Sequence, residues 1–253
     1  MGRFGIGQSI KRLEDNRLLT GNGSYTDDIN FKNQAYMYIV RSPFAKATIR
    51  KISIEEASKK SGVIKIISYA DLIRENIGDM RTSFLVKNID GKEMKETTRN
   101  ILCKNEVRFV GDPILAIIAE TQEIAEEAAD KVTIDYEEKK SVTDIVQASE
   151  ENAPIVRSEL DNNLCFDWEL GDKDKTDHLL KESKYLIEIK LRNNRLVPNP
   201  MECRSTVGIY NEQDEQFTLY CSSQGVHSLK KKLVNIFNLS DEKINVVTRD
   251  VGG

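Results

Sequence analysis

Ile114-Leu115-Ala116-Ile117-Ile118-Ala119 is a run of six aliphatic residues with no polar interruption. It falls far short of the roughly 20 apolar residues of a membrane span. It reads instead as a strand covered on both faces, which places the chain among layered proteins that mix helix and sheet. Further strands are written around it. Ala35-Tyr36-Met37-Tyr38-Ile39-Val40 is rich in β-formers, and Ala47-Thr48-Ile49-Arg50-Lys51-Ile52 alternates apolar with polar residues, the mark of a half-buried strand. Val63-Ile64-Lys65-Ile66-Ile67 and Val132-Thr133-Ile134-Asp135-Tyr136 complete the set.

Helices are expected between these strands. Ser53-Ile54-Glu55-Glu56 has the form of a capping box, with hydroxyl and carboxylate each reaching a free amide. The helix it would open ends at Ser61-Gly62, where glycine suits a left-handed position. Gln122 to Asp130 is helical, with Glu123 in the first turn, where the helix dipole favours it. The order predicts two β–α–β units in an α/β domain ending near Val146. Residues 1–30 are polar and rich in turn signals, an extended lead-in. Residues 74–105 are charged and broken by glycine and asparagine, which predicts an irregular surface excursion. A polar, turn-prone stretch at 147–160 marks a boundary. Beyond it, from Asp161, strands are expected at 185–192, 204–210, 216–221 and 244–249, with a helix at 226–237. A glycine pair after a strand opens a turn into a further element. The ending Asp250-Val251-Gly252-Gly253 is therefore expected to interrupt a domain rather than close one.

Bulk properties exclude several functions. Among the 253 residues, 37 basic and 41 acidic side chains are interspersed, for a net charge of −4. The compact basic run Lys230-Lys231-Lys232 lies in helical spacing and reads as a solvated face, so no nucleic acid is expected as a partner. There is no secretory signal and no membrane segment, which gives a cytoplasmic expectation. Cys103, Cys165, Cys203 and Cys221 fit neither a zinc nor an iron–sulfur spacing. They read as reduced, buried, apolar residues. His178 and His227 have no partners at metal-ligand spacing, and no phosphate-binding glycine loop is present. The residues by themselves nominate no catalytic group and no metal site.

A chain of short motifs, in order, carries more. Arg12-Leu13-Glu14-Asp15, Leu18-Leu19-Thr20-Gly21 and Gly23-Ser24-Tyr25-Thr26-Asp27-Asp28 come first. Val40-Arg41-Ser42-Pro43, Gly62-Val63 and Asp71-Leu72 follow, then Val107-Arg108-Phe109-Val110-Gly111-Asp112-Pro113, Ala119-Glu120-Thr121 and Val132-Thr133-Ile134-Asp135-Tyr136-Glu137. Pro200-Met201-Glu202 with Arg204, Ser222-Ser223-Gln224 with His227, and the terminal Asp250-Val251-Gly252-Gly253 close the series. Together they resemble the N-terminal part of the molybdopterin-binding large subunit of the xanthine dehydrogenase / aldehyde oxidase / carbon monoxide dehydrogenase family. Four positions depart from the family pattern: Lys46, Asp112, Cys203, and the missing proline after Glu137.

The resemblance implies a mixed α+β and α/β architecture. A lead-in over 1–18 precedes an a/b hammerhead domain over 19–146, a linker over 147–160, and an incomplete first molybdopterin-binding domain over 161–253. It implies oxidation of an aldehyde, an N-heterocycle or carbon monoxide at a molybdenum–molybdopterin centre, with the protein supplying position and electrostatics. Gln224 matches a family glutamine whose amide donates to an oxo ligand of molybdenum. Gly252 and Gly253 match the start of a glycine-rich loop that lets main-chain amides approach the pterin, and Glu202 matches a core position of the cofactor domain. The general base and most pterin contacts of the family lie further along its sequence. The expected partners are the missing C-terminal portion of the large subunit, an iron–sulfur small subunit and a flavin (FAD) medium subunit. Neither iron–sulfur cluster nor flavin is expected in this chain. The alternative is a non-catalytic scaffold or decayed remnant, in which the hammerhead survives as a folding or interaction module.

Overall fold

The structure, a computed structural model, describes Gly7 and residues 9–252. It divides into two compact units, one of residues 33–196 with 236–238, the other of residues up to Lys32 with 197–235 and 239–253.

The first unit is built on two three-stranded sheets. Its strands are β1 (Tyr36–Arg41), β2 (Ala47–Ser53), β3 (Val63–Ile67), β4 (Glu106–Val107), β5 (Pro113–Ala119) and β6 (Thr133–Glu138). One sheet has the order β1-β5-β3, the other β4-β2-β6. The aliphatic run is β5, central in its sheet; Ile114, Leu115 and Ile117 are fully buried. Ala47, Val107, Cys103, Ile114 and Leu115 form one core cluster, flanked by Ile49, Ile52, Ile134 and Tyr136 from the other sheet. Helices α2 (Glu55–Ser58) and α4 (Gln122–Ala129) pack close over Ile117 and Ala119, because they present Ala57, Ala125 and Ala128, all fully buried. Gly62 takes φ +85° as expected, and a Cβ there would meet Ile124 Cδ1 at 2.7 Å.

Five of the six strands fall where the sequence places them and the two-residue β4 is additional, but the pairing differs. Every pair in this unit is antiparallel. The two expected β–α–β units are crossings from one sheet to the other. The link between β2 and β3, residues 54–62, is shorter than the roughly dozen residues a parallel crossover needs. Both edges of β5 are taken by β1 and β3, so β6 has no place beside it. The capping box at Ser53 does not form, because Ser53 is the last paired residue of β2, opposite Thr133. A capping box forms instead at Ser68, whose main-chain N–H and hydroxyl both donate to the Asp71 carboxylate at 2.7 Å, and it opens α3 (Tyr69–Arg74). Thr121 caps α4 by accepting from the Ile124 amide at 3.2 Å. Residues 74–105 are irregular beyond the end of α3, crossed by the isolated bridges Met80–Arg99 and Lys87–Glu93. Two short helices follow, α5 (Ile145–Ala148) and α6 (Lys173–Glu182). The strand expected at 185–192 is absent: this stretch has no sheet partner, and its apolar side chains are exposed.

In the second unit the lead-in contains a short helix, α1 (Asp15–Leu19), and a 3-10 turn at Thr26–Asp28. A hairpin joins β7 (Thr206–Asn211) to β8 (Gln216–Cys221). Helix α7 (Val226–Phe237) then leads to β9 (Ile244–Val247), which pairs parallel with β8. The cysteines divide. Cys103 and Cys221 are buried, as expected of all four, whereas Cys165 is half-buried and Cys203 exposed.

Candidate functional site

The parallel pair fixes where a ligand site can be. β8 and β9 run in the same direction, so their carboxyl ends open on one edge, the usual position of a ligand crevice in such sheets. Thr248 Oγ1 donates to the Cys221 carbonyl at 2.8 Å and ties the two ends together. Three residues after Cys221 stands Gln224, and four after Thr248 stands Gly252.

Gln224 is exposed in the turn between β8 and α7, and its side-chain amide has no hydrogen-bond partner among the described residues. The turn itself is well determined. The Gly225 amide donates to Ser223 Oγ at 3.1 Å, and Ser228 Oγ donates to the Gly225 carbonyl at 2.8 Å. A rigid turn carrying a free neutral donor at the open edge is what a polar ligand requires. His227 is exposed on the first turn of α7. His178 lies on α6 beside Glu182, 3.4 Å away. Among the described residues no group of three His, Cys, Asp or Glu side chains could hold a metal ion.

The stretch after β9 is held at two points. Asp250 accepts both terminal guanidinium nitrogens of Arg17, one at 2.6 Å, and the Ser24 amide at 2.7 Å. Its own amide returns to the Ser24 carbonyl at 3.2 Å. The Arg17 guanidinium, and after it the Ser24 amide, pull the Asp250 carboxyl down to about 2. At the second point the Gly252 amide donates to Glu202 Oε2 at 2.6 Å. A Cβ on Gly252 would lie 2.6 Å from Glu202 Cβ, so only glycine fits. The requirement for glycine at 252 therefore comes from Glu202, and that amide is already committed. Glu202 Oε1 and Ser205 Oγ are buried and have no hydrogen-bond partner among the described residues. Gly253 lies outside the described residues. Sequence reasoning named Gln224 and Gly252 but gave no part to Arg17, Ser24, Thr248 or Asp250. Ser24 stood inside an opening motif, Arg17 between two of them and Asp250 at the head of the terminal one, with nothing local to show that they meet.

Comparison with known proteins gives the class. The family model described as "Aldehyde oxidase and xanthine dehydrogenase, a/b hammerhead domain" matches residues 20–140, and that of the "Molybdopterin cofactor-binding domain" matches residues 156–253. The carbon monoxide dehydrogenase large chain of Afipia carboxidovorans is 27% identical over 98% of this chain and 31% of its own length. The nicotine 6-hydroxylase large subunit of Paenarthrobacter nicotinovorans is 29% identical over 98% of this chain and 29% of its own. Among solved structures, quinoline 2-oxidoreductase from Pseudomonas putida 86 superimposes with a TM-score of 0.84 at 27% identity, over 98% of this chain and 30% of that one. The chain thus belongs to the xanthine dehydrogenase / aldehyde oxidase / carbon monoxide dehydrogenase large-subunit family and corresponds to its N-terminal portion. It spans about 30% of the length of these relatives, as a hammerhead domain followed by part of a molybdopterin-binding domain.

Proposed function

We propose that this chain forms one wall of a molybdenum–molybdopterin site in a hydroxylase that oxidises an aldehyde, an N-heterocycle or carbon monoxide. The observation that carries the reading is the carboxyl edge of β8 and β9. An unpartnered amide donor at Gln224 and a glycine held in place at Gly252 both follow the ends of paired parallel strands. The donor set suits the group: a neutral amide can donate to an electron-rich ligand without adding charge, and side-chain-free backbone permits close approach of a flat heterocycle. When bound, the cofactor supplies the two-electron oxidation and the oxygen-transfer chemistry. Gln224 would help to hold its molybdenum end through the side-chain amide. Gly252, its own amide held by Glu202, would shape the start of the loop that holds the pterin, a role the same reading gives to Gly253.

In the same reading the chain divides as a lead-in over 1–18, hammerhead over 19–146, linker over 147–160 and cofactor domain from 161. The remainder of the large subunit, an iron–sulfur subunit and a flavin subunit complete the enzyme in the cytoplasm. No helix among the described residues is long and apolar enough to cross a membrane. The test is co-expression with the remainder of the large subunit and both redox subunits, followed by metal and pterin analysis. Molybdenum near one per assembly is expected, and Gln224→Ala should lower turnover while molybdenum is retained. An assembly that forms fully but holds neither molybdenum nor pterin would establish the scaffold alternative instead.

A further inference from the structure

The first unit holds a cavity of about 390 Å³ where the start of β2, the turn after β4, the stretch after β6 and the segment 154–156 come together. That volume lies at the small end of the roughly 300–1,000 Å³ of small-molecule sites. Four cations line it, Lys46, Arg108, Lys140 and Arg195, and no carboxylate does. Two of them are fixed from behind by one acid. Glu106 Oε1 lies 3.6 Å from Lys46 Nζ and its Oε2 lies 3.5 Å from Arg108 Nε, so that these side chains stay charged at 13% and 19% exposure. Arg108 Nε is buried and makes no hydrogen bond among the described residues. Lys46 also donates to the Ile155 carbonyl, and Asn163 Nδ2 donates to the Pro154 carbonyl at 3.0 Å, which fixes the wall at 154–156. The other two cations are uncommitted. Lys140 and Arg195 are exposed and have no ion-pair or hydrogen-bond partner among the described residues, and the hydroxyls of Ser141 and Thr143 beside them have none either. Phe109 and Val156 add exposed apolar surface to the same lining, and the Arg99 guanidinium stands 5.4 Å from the Phe109 ring centroid. We propose that this cavity binds a small phosphate monoester with an apolar body. A phosphate monoester brings about two negative charges and three acceptor oxygens, which suits several cations with hydroxyls between them better than the single charge of a carboxylate. Arg195 and Lys140 hold the phosphate, Lys46 and Arg108 add a field that water screens little, and the apolar body covers Phe109 and Val156.

Every lining residue belongs to the first unit, so the site is independent of the molybdenum reading, which concerns the second. Isothermal titration calorimetry of phenyl phosphate into the 253-residue protein is the test, with inorganic phosphate and benzoate as comparison probes. Phenyl phosphate is expected to bind with a Kd below about 1 mM, and the other two probes at least about tenfold more weakly. Arg195→Gln and Lys140→Gln each remove one charge from a side chain that makes no contact in the folded chain, so folding is not at stake. Each should weaken phenyl phosphate binding about tenfold, as for the loss of one charge-assisted contact. Lys231→Gln, at an exposed position of α7, should leave binding unchanged. No binding up to about 10 mM phenyl phosphate would overturn the site. So would binding that survives both Arg195→Gln and Lys140→Gln, or that Lys231→Gln weakens equally, since the anion would then be drawn by general charge rather than by this cavity. Inorganic phosphate bound as tightly as phenyl phosphate would refute the apolar body, and benzoate bound as tightly would refute the choice of phosphate.

Discussion

β5 and the segment 185–192 are both rich in β-branched and aliphatic residues and lie in the same compact unit, yet they end in opposite environments. Ile117 in β5 is 0% exposed, whereas Ile187 is 83% exposed. In Tyr185-Leu186-Ile187-Glu188-Ile189-Lys190-Leu191 the alternation is at least as regular as in β2, which is paired on both edges. The difference teaches that a period-2 pattern specifies which side chains want cover but not what covers them. β5 finds β1 and β3 on its edges and small alanines over its face. The 185–192 stretch has no edge beside it and stays irregular. An exposed, apolar, strand-forming stretch is a template for pairing with other chains.

Thiol chemistry gives the largest expected contrast. Burial, and after it the neighbouring Asp112 carboxylate, pushes the Cys103 thiol well above its ordinary range; burial pushes Cys221 up as well. Cys203, in the uncovered stretch before β7, is exposed. Since the thiolate is the reactive form, alkylation at pH 8 should modify Cys203 at least about a hundredfold faster than Cys103. Mass spectrometry of a time course measures this. Equal rates would mean that the β-core opens readily and that the contrast between the two regions is false.

Side-chain truncation tests the same contrast in energy. Ile117→Ala should cost about 2–5 kcal/mol, the usual range for a large-to-small change in a closed core. Ile187→Ala, the same chemical change at an exposed site, should stay within about 0.5 kcal/mol. Urea unfolding of both variants, followed by Trp168 fluorescence, provides the measurement. A loss of more than about 1 kcal/mol for Ile187→Ala would mean that 185–192 is packed in solution.

Much of the fold could be read in the sequence, for reasons that are local. The β5 run, the helix α4 with Glu123 in its first turn and the left-handed Gly62 are each determined within a few residues. Pairing is not local. The alternation of strand and helix suggested parallel β–α–β units, yet which edges are free depends on strands far away in sequence. Ser53 shows the same limit at smaller scale: its capping pattern is sound, but its backbone is spent on Thr133. At the site, Gln224 and the glycine pair were visible through their motifs. The contacts that hold the stretch before the glycine pair, Arg17 with Asp250 and Glu202 with Gly252, join residues 233 and 50 apart, and no spacing rule reaches that far.

The smallest effect belongs to the Asp250 clamp, because Arg17 is partly exposed and water screens the pair. Its sign is nonetheless fixed. In the unfolded chain Asp250 titrates near 3.8, and in the folded chain near 2. A depressed folded value means that the contribution is fully present above about pH 4, since both states are then ionised there and only the folded one gains from Arg17. As pH falls from about 4 to 2 the unfolded state takes up the proton first, and the contribution drains away. The difference in stability between the native chain and Asp250→Asn should therefore be constant between pH 5 and 7 and shrink steadily below about pH 4. Urea midpoints taken at half-unit intervals would follow it, with the asparagine variant subtracting every other carboxylate that titrates over the same range. A difference that stays flat down to pH 2 would show that the Arg17 contact adds nothing. The entry to the glycine loop would then be held by Glu202 and by the main-chain bond from Asp250 to Ser24.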